Sequence, residues 1–262
     1  MKTLAFAALG AALGFSAAHA APLTFDLTGT VRDFLPSGVA GGHPDFQRAI
    51  DGLRTGQVAQ TLDADGKPVF VGPENVGSFT NQANFRQWFR DVDGVNLSTD
   101  HTITLTETAP GSGLFGFSSN AFFPINGQLF NEGVAGNNFH FTYEINTIAA
   151  LSMGDVFSFT GDDDLWVFID GRLVVDLGGV KSATTAGFTV DDAFLTSTGL
   201  STGENYTFDI FFAERHTTQS NFAITTSLAL EQPPAPIPVP AALPLLATAL
   251  AGLGLLRRRR AA

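Results

Sequence analysis

The sequence predicts an all-β fold, an antiparallel β-sandwich with one or two short helices, on three observations. Short runs alternating apolar and polar residues recur along the chain, separated by turns rich in Gly, Asn and Asp. That is the pattern of strands burying one face against a second sheet. Charged residues make up only 15% of the chain, yet it holds 25 phenylalanines, each able to bury a large apolar area in a core. There is no cysteine, so packing has to hold the fold without disulfides.

Each element follows from its own pattern. Residues 23–31 (LTFDLTGTV) alternate cleanly and read as a first strand. Gly41-Gly42-His43-Pro44-Asp45-Phe46 opens a short helical piece at 46–53. Asp63-Ala64-Asp65-Gly66-Lys67 has the first carboxylates of an EF-hand-type calcium loop but lacks its later glutamate, so it reads as a turn. Within 81–92, Phe85, Trp88 and Phe89 share one stripe of a short helix facing the core. Residues 101–108, 114–118, 139–145, 156–160, 206–212 and 221–230 read as strands. In the last of these Phe222, Ile224, Leu228 and Leu230 form one face. The pair Asp191-Asp192 reads as a loop.

The chain is organised around residues 161–179, GDDDLWVFIDGRLVVDLGG. Leu165, Val167 and Ile169 point to one side and Trp166 and Phe168 to the other, so this strand is covered on both faces. Asp170-Gly171 is a two-residue hairpin turn, because a type I′ turn needs positive φ at both positions. Three adjacent carboxylates, Asp162, Asp163 and Asp164, lead into a buried strand. Like charges repel, so a cation that gathers oxygen ligands is one resolution; solvated turn caps are the other.

The two ends carry processing signals. Residues 1–20 combine Lys2, an apolar stretch from Leu4 and a small-x-small site at Ala18-His19-Ala20, the layout of a secretory signal peptide. After the domain at 21–232 comes a Pro-rich linker, 233–240, and then a sorting helix with an Arg-rich tail, 241–262. Residues 237–256 hold no charge and precede Arg257–Arg260. A stretch of about 20 such residues is long enough to span a bilayer, with the arginines kept in the cytoplasm. Ile237-Pro238-Val239-Pro240-Ala241, then Gly252-Leu253-Gly254-Leu255-Leu256 and the arginines, resemble a PEP-CTERM sorting signal of the Val-Pro-Leu-Pro-Ala variant. Ile237 and Val239 depart from it conservatively. The resemblance implies an exosortase substrate, held transiently in the inner membrane and then delivered to the cell surface or extracellular matrix.

With Lys2 and the four terminal arginines set aside, 25 acidic residues face 9 basic ones. Such a surface repels nucleic acid and anionic lipid, and suits an extracellular or cation-binding protein.

The landmarks Gly42-His43-Pro44-Asp45-Phe46, Asp65-Gly66-Lys67-Pro68 and Asn84-Phe85-Arg86-Gln87-Trp88-Phe89-Arg90-Asp91-Val92 occur in that order. They continue with Phe122-Phe123-Pro124, residues 161–179, and Phe211-Phe212-Ala213-Glu214-Arg215-His216 running into Ser220-Asn221-Phe222. Together they resemble the fibro-slime domain over nearly all of the mature chain. The central piece is similar to the protective-antigen-type β-sandwich of toxins, glycosidases and adhesins. In adhesins of that kind a cis-linked Asp-Asp pair holds a calcium ion that meets sugar hydroxyls. The resemblance implies Ca2+ at Asp162-Asp163, with Asp163-Asp164 as the alternative register and Asn221 as a further ligand.

Catalysis finds little material. Glu214, Arg215 and His216 adjoin a strand end, where a glycosidase would need two carboxylates across a cleft. Arg215 is instead expected to pair with an aspartate of the 162–164 loop. There is no HExxH, nucleophile elbow or phosphate loop, and His43, His101, His140 and His216 are too scattered for zinc. The expectation is a non-catalytic, exported surface or matrix protein with a calcium-assisted carbohydrate or adhesion module. The alternatives are a structural biofilm-matrix component without a small-ligand site and, behind it, a glycoside hydrolase.

Overall fold

The computed structural model describes residues 22–130, 133 and 135–231. The signal peptide at 1–20, the linker at 233–240 and the sorting helix at 241–262 fall outside the described residues. Among the described residues no helix is long and apolar enough to cross a membrane.

The chain forms β1 (Thr24–Phe34), α1 (Gln82–Phe85), β2 (Asn96–Glu107), β3 (Phe115–Ser119), β4 (Phe141–Ala150) and β5 (Val156–Gly161). It continues with β6 (Asp164–Ile169), β7 (Arg172–Leu177), β8 (Thr184–Thr189), α2 (Asp192–Thr198), β9 (Asn205–Glu214), β10 (Phe222–Thr226) and β11 (Ala229–Glu231). The strands hydrogen-bond in the order β7-β6-β9-β4-β1-β2-β3-β10-β5-β8, with β11 added beside β4. Every strand pair is antiparallel. The terminal strands β7 and β8 pack near one another, so the path curls into a barrel-like sandwich. The all-β antiparallel sandwich expected from the sequence is what forms.

Its interior is phenylalanine-rich. Phe222 stacks on Phe122 with ring centroids 4.4 Å apart and meets Phe159 and Phe212 edge-on at 4.8 and 5.2 Å. Leu165, Val167 and Ile169 of β6 face this main core. Trp166 and Phe168 face a second core with Phe34, Phe46, Phe79, Phe85 and Trp88. The long excursion between β1 and β2 supplies that second layer, so β6 is wholly buried on both faces, as its unbroken apolar run requires. The β6–β7 turn has φ of 50° at Asp170 and 69° at Gly171, the positive pair expected of type I′.

Three local readings are corrected. Residues 46–53 are not helical. Gln47 has a φ of 64°, and the backbone of Asp51, Gly52 and Arg54 instead donates to the carbonyls of Val180, Val180 and Gly178. Gly178 and Gly179 permit this approach, since a Cβ on Gly178 would lie 2.6 Å from the Arg54 carbonyl. The helix in 81–92 shrinks to Gln82–Phe85, capped by the Asn81 side chain, and continues as turns. Asp191-Asp192 is no loop: Asp191 caps α2, its carboxylate accepting from the Phe194 N–H at 2.8 Å.

Truncating Phe222 to Ala removes the ring at the centre of five aromatic contacts and should cost about 3–5 kcal/mol in urea unfolding. Leu23→Ala, at a side chain 64% exposed, should change stability by less than about 0.5 kcal/mol. Equal effects would contradict the placement of the core.

Candidate functional site

Strand β5 pairs with β10 and β8, whereas β6 pairs with β9 and β7. Asp162 and Asp163 are the whole connection by which the chain crosses between these two halves of the sandwich. Asp163 adopts a positive φ of 50° to make the crossing, and no peptide bond among the described residues is cis. The cis-linked aspartate pair implied by the resemblance is therefore absent; the left-handed residue turns the chain in its place. The second connection at this end, from β9 to β10, brings up Glu214, Arg215 and Asn221, and Phe222 pairs with Gly161.

The three aspartates are almost fully enclosed, and each has a different set of partners. Asp162 accepts from the Asn221 backbone N–H at 2.6 Å and from its side-chain amide at 3.0 Å. Asp163 accepts from the backbone N–H groups of Arg215 at 2.7 Å and Lys181 at 3.3 Å. Asp164 accepts from Gly179 N–H at 2.5 Å and from Arg215 Nε at 2.6 Å, so both of its oxygens are engaged. The expected pairing of Arg215 with this loop is present, and its partner is Asp164.

Arg215 is 0% exposed, and every face of its guanidinium is used. One terminal nitrogen donates to the carbonyls of Asp45 at 3.0 Å and Ser78 at 2.8 Å, and the other to Ser78 Oγ at 2.8 Å. Its plane lies 4.5 Å from the Trp88 ring and 4.8 Å from Phe79, a cation–π arrangement.

Two groups were not singled out from the sequence as parts of this cluster. Lys181 is one of only two lysines between 21 and 232, and that scarcity next to a Gly-Gly turn was the available signal. Its ammonium donates to the Leu177 carbonyl at 3.0 Å and to the Asp163 carbonyl. Glu214, read at a strand end, is the last residue of β9 and is fully buried; its carboxyl lies against the Ser220 and Asp163 side chains, with neither oxygen in a well-formed hydrogen bond. The Ser220 hydroxyl nearby is spent on the Phe122 carbonyl.

Four carboxyl groups thus surround two basic ones, leaving two negative charges if all were ionised. Burial is the main cause of the response, and protons are the answer. Burial and the neighbouring Asp163 and Asp162 push Glu214 well above the ordinary range. Burial pushes Asp163 up to about 7, outweighing the attraction of Arg215. Asp162 and Asp164 are raised for the same first reason.

Beside Asp162, Asp163 and Lys181 lies a small pocket of about 70 Å³, rimmed also by Ile50 and His216. Among the described residues no three His, Asp or Glu side chains form a ready cage for a metal ion. The donor chemistry nevertheless suits a hard cation. Asp162 and Asp163 retain free lone pairs, Glu214 lacks a well-formed hydrogen bond, and a divalent ion would cancel the charge deficit; Asn221 could add its side-chain oxygen only with its amide turned, since its nitrogen meets Asp162.

Residues 127–241 match the family model of the PA14 domain. Among curated proteins the chain is 38% identical over 203 residues to protein psiQ of Dictyostelium discoideum, covering 72% of this chain and 20% of psiQ. It is 38% identical over 225 residues to psiR of the same organism, covering 80% of this chain and 22% of psiR. For psiC the identity is 32% over 224 residues, covering 79% and 42% respectively. The chain thus spans between about a fifth and two fifths of these relatives' lengths. A solved PA14 sugar-binding domain from an RTX adhesin shares 16% identity at a TM-score of 0.31, covering 67% of this chain and 89% of that one. The PA14 domain of the antifreeze protein MpAFP shares 18% at 0.25, covering 39% and 48%.

A buried acid whose pKa is raised keeps its proton where the unfolded chain has released it. Stability therefore falls as pH rises from about 4, the ordinary carboxylate value, through the folded value. Without added cation, the melting temperature should carry such a decline from about pH 4 to 7. Glu214→Gln should flatten it and raise stability at neutral pH. A pH slope identical in wild type, Glu214→Gln and Asp163→Asn would contradict the buried cluster.

Proposed function

We propose that the chain is an exported, non-catalytic surface or matrix protein whose PA14-type sandwich binds carbohydrate through a calcium ion at the β5–β6 crossing. The observation that carries this reading is the charge deficit: Asp162, Asp163 and Glu214 are buried around too few basic groups. Asp162, Asp163 and, with its amide turned, Asn221 would hold the ion, with Glu214 as a reserve carboxylate behind them. Asp164 is committed to structure: the Arg215 guanidinium takes one oxygen and the Gly179 N–H the other, whereas Asp162 and Asp163 accept hydrogen bonds from neutral amides alone. A bound calcium would offer open coordination positions to vicinal sugar hydroxyls.

The chain's own residues do the rest. The Asn221 backbone N–H orients Asp162, and the Arg215 and Lys181 backbone N–H groups orient Asp163. Ile50, 69% exposed at the pocket rim, presents an apolar surface to the C–H face of a ring. The Lys181 ammonium, which donates to the Asp163 and Leu177 carbonyls, would have to turn away from a bound ion. Export through 1–20 and exosortase sorting through 237–260 would then place this pocket outside the cell, against polysaccharide.

Calcium titration of the purified chain tests the reading. Saturating calcium should raise the melting temperature; at a hundred times Kd the stabilisation is about 2.7 kcal/mol. Asp163→Asn, which keeps the turn, should abolish that rise, and a chelator should abolish signals on a glycan array. A calcium shift that persists undiminished in Asp163→Asn would sink the site. Glycan turnover that disappears in Glu214→Gln would overturn the non-catalytic reading.

A further inference from the structure

A second cleft, of about 560 Å³, lies between the turn at 63–70 and the segment 82–90. Every residue lining it precedes residue 127, so it stands outside the PA14 match. Its volume falls in the range of about 300–1,000 Å³ usual for small-molecule sites. Phe70 and Phe85 form its floor, Pro68, Val69 and Ala83 extend the apolar wall, and Asp63, Gln82, Arg86 and Arg90 supply its polar groups.

The two arginines are in opposite conditions. Arg90 is pinned: one terminal nitrogen lies 2.5 Å from Asp63 and 3.3 Å from Asp65, and the other donates to the Arg86 carbonyl at 3.1 Å. Arg86 has an exposed side chain and, among the described residues, no ion pair. Among the described residues it shares that lack of an ion pair only with Arg48, which is not at this cleft; Arg32, Arg54, Arg90, Arg172 and Arg215 each hold a carboxylate. A free guanidinium at the mouth of a preformed cleft is a planar fork matched to a carboxylate.

We infer that this cleft binds a carboxylated sugar of the uronic acid class, with Arg86 taking the carboxylate. The apolar wall suits the C–H face of a ring. Gln82 and Asp63 offer an amide and carboxylate oxygens to neutral hydroxyls. Asp63 at the same cleft disfavours densely anionic ligands, so one carboxylate per ring fits better than an acidic peptide. The inference does not depend on the cation site at the β5–β6 crossing.

Isothermal titration of the full chain with trigalacturonic acid tests it, beside the methyl ester of that trisaccharide and a hexaglutamate peptide. Trigalacturonate should bind, and Arg86→Ala and Arg86→Gln should each weaken it at least tenfold while melting close to wild type, because the side chain is exposed. The methyl ester should bind at least tenfold more weakly, hexaglutamate should not compete, and a chelator should leave the affinity unchanged. The assignment is overturned by no binding at millimolar trigalacturonate, or by equal binding of the ester or of both Arg86 variants. Competition by hexaglutamate would show a charge-only site, and loss on chelation would move the binding to the cation site; either also overturns it.

Discussion

A guanidinium sealed away from water is the constraint on which the rest of this structure depends. Removing a charge from water costs several kcal/mol, and attraction to one carboxylate repays it only if every remaining N–H is also met. Arg215 meets that condition with Asp164, two backbone carbonyls and the Ser78 hydroxyl, stacked against Trp88 and Phe79. These partners come from widely separated parts of the chain. The excursion between β1 and β2 is therefore fixed to the end of β9 by polar geometry as well as by apolar packing.

Two consequences follow. The second core exists because the excursion is held there: Phe46, Phe79, Phe85 and Trp88 cover the outer faces of Trp166 and Phe168. Residues outside the 127–241 match thus complete the environment of residues within it. The Asp164–Arg215 pair also spends one aspartate of the acidic run on structure. Its two neighbours and Glu214 are left in a setting where positive charge is scarce and burial deep. Asp45 adds a second tie, accepting from Thr80 and from the Trp88 indole at 3.2 Å.

Much of the fold was legible because strand signals are local. The alternation in β1 and β2, the two-faced apolar run of β6 and the Asp170-Gly171 turn each follow from a few adjacent residues. The misread parts are those where distant contacts decide. Residues 46–53 carry a helical look, yet the paired glycines at 178 and 179 let their backbone bond alongside the chain there. The site was half legible. Three aspartates and Asn221 announce oxygen chemistry, and Asn221 does bond Asp162. That Asp164 is taken by Arg215, and that Glu214 turns inward without a well-formed hydrogen bond, depends on the pairing of β6 with β9.

A double-mutant cycle at Asp164 and Arg215 tests the central claim most directly. Asp164→Asn and Arg215→Met should each lose about 3–5 kcal/mol in urea unfolding, because each leaves a buried charge unmatched. The double variant should lose little more than either alone, since neither member of this pair is then left without the other. Losses that simply add, or single losses below about 1 kcal/mol, would show that the pair does not organise this end of the sandwich.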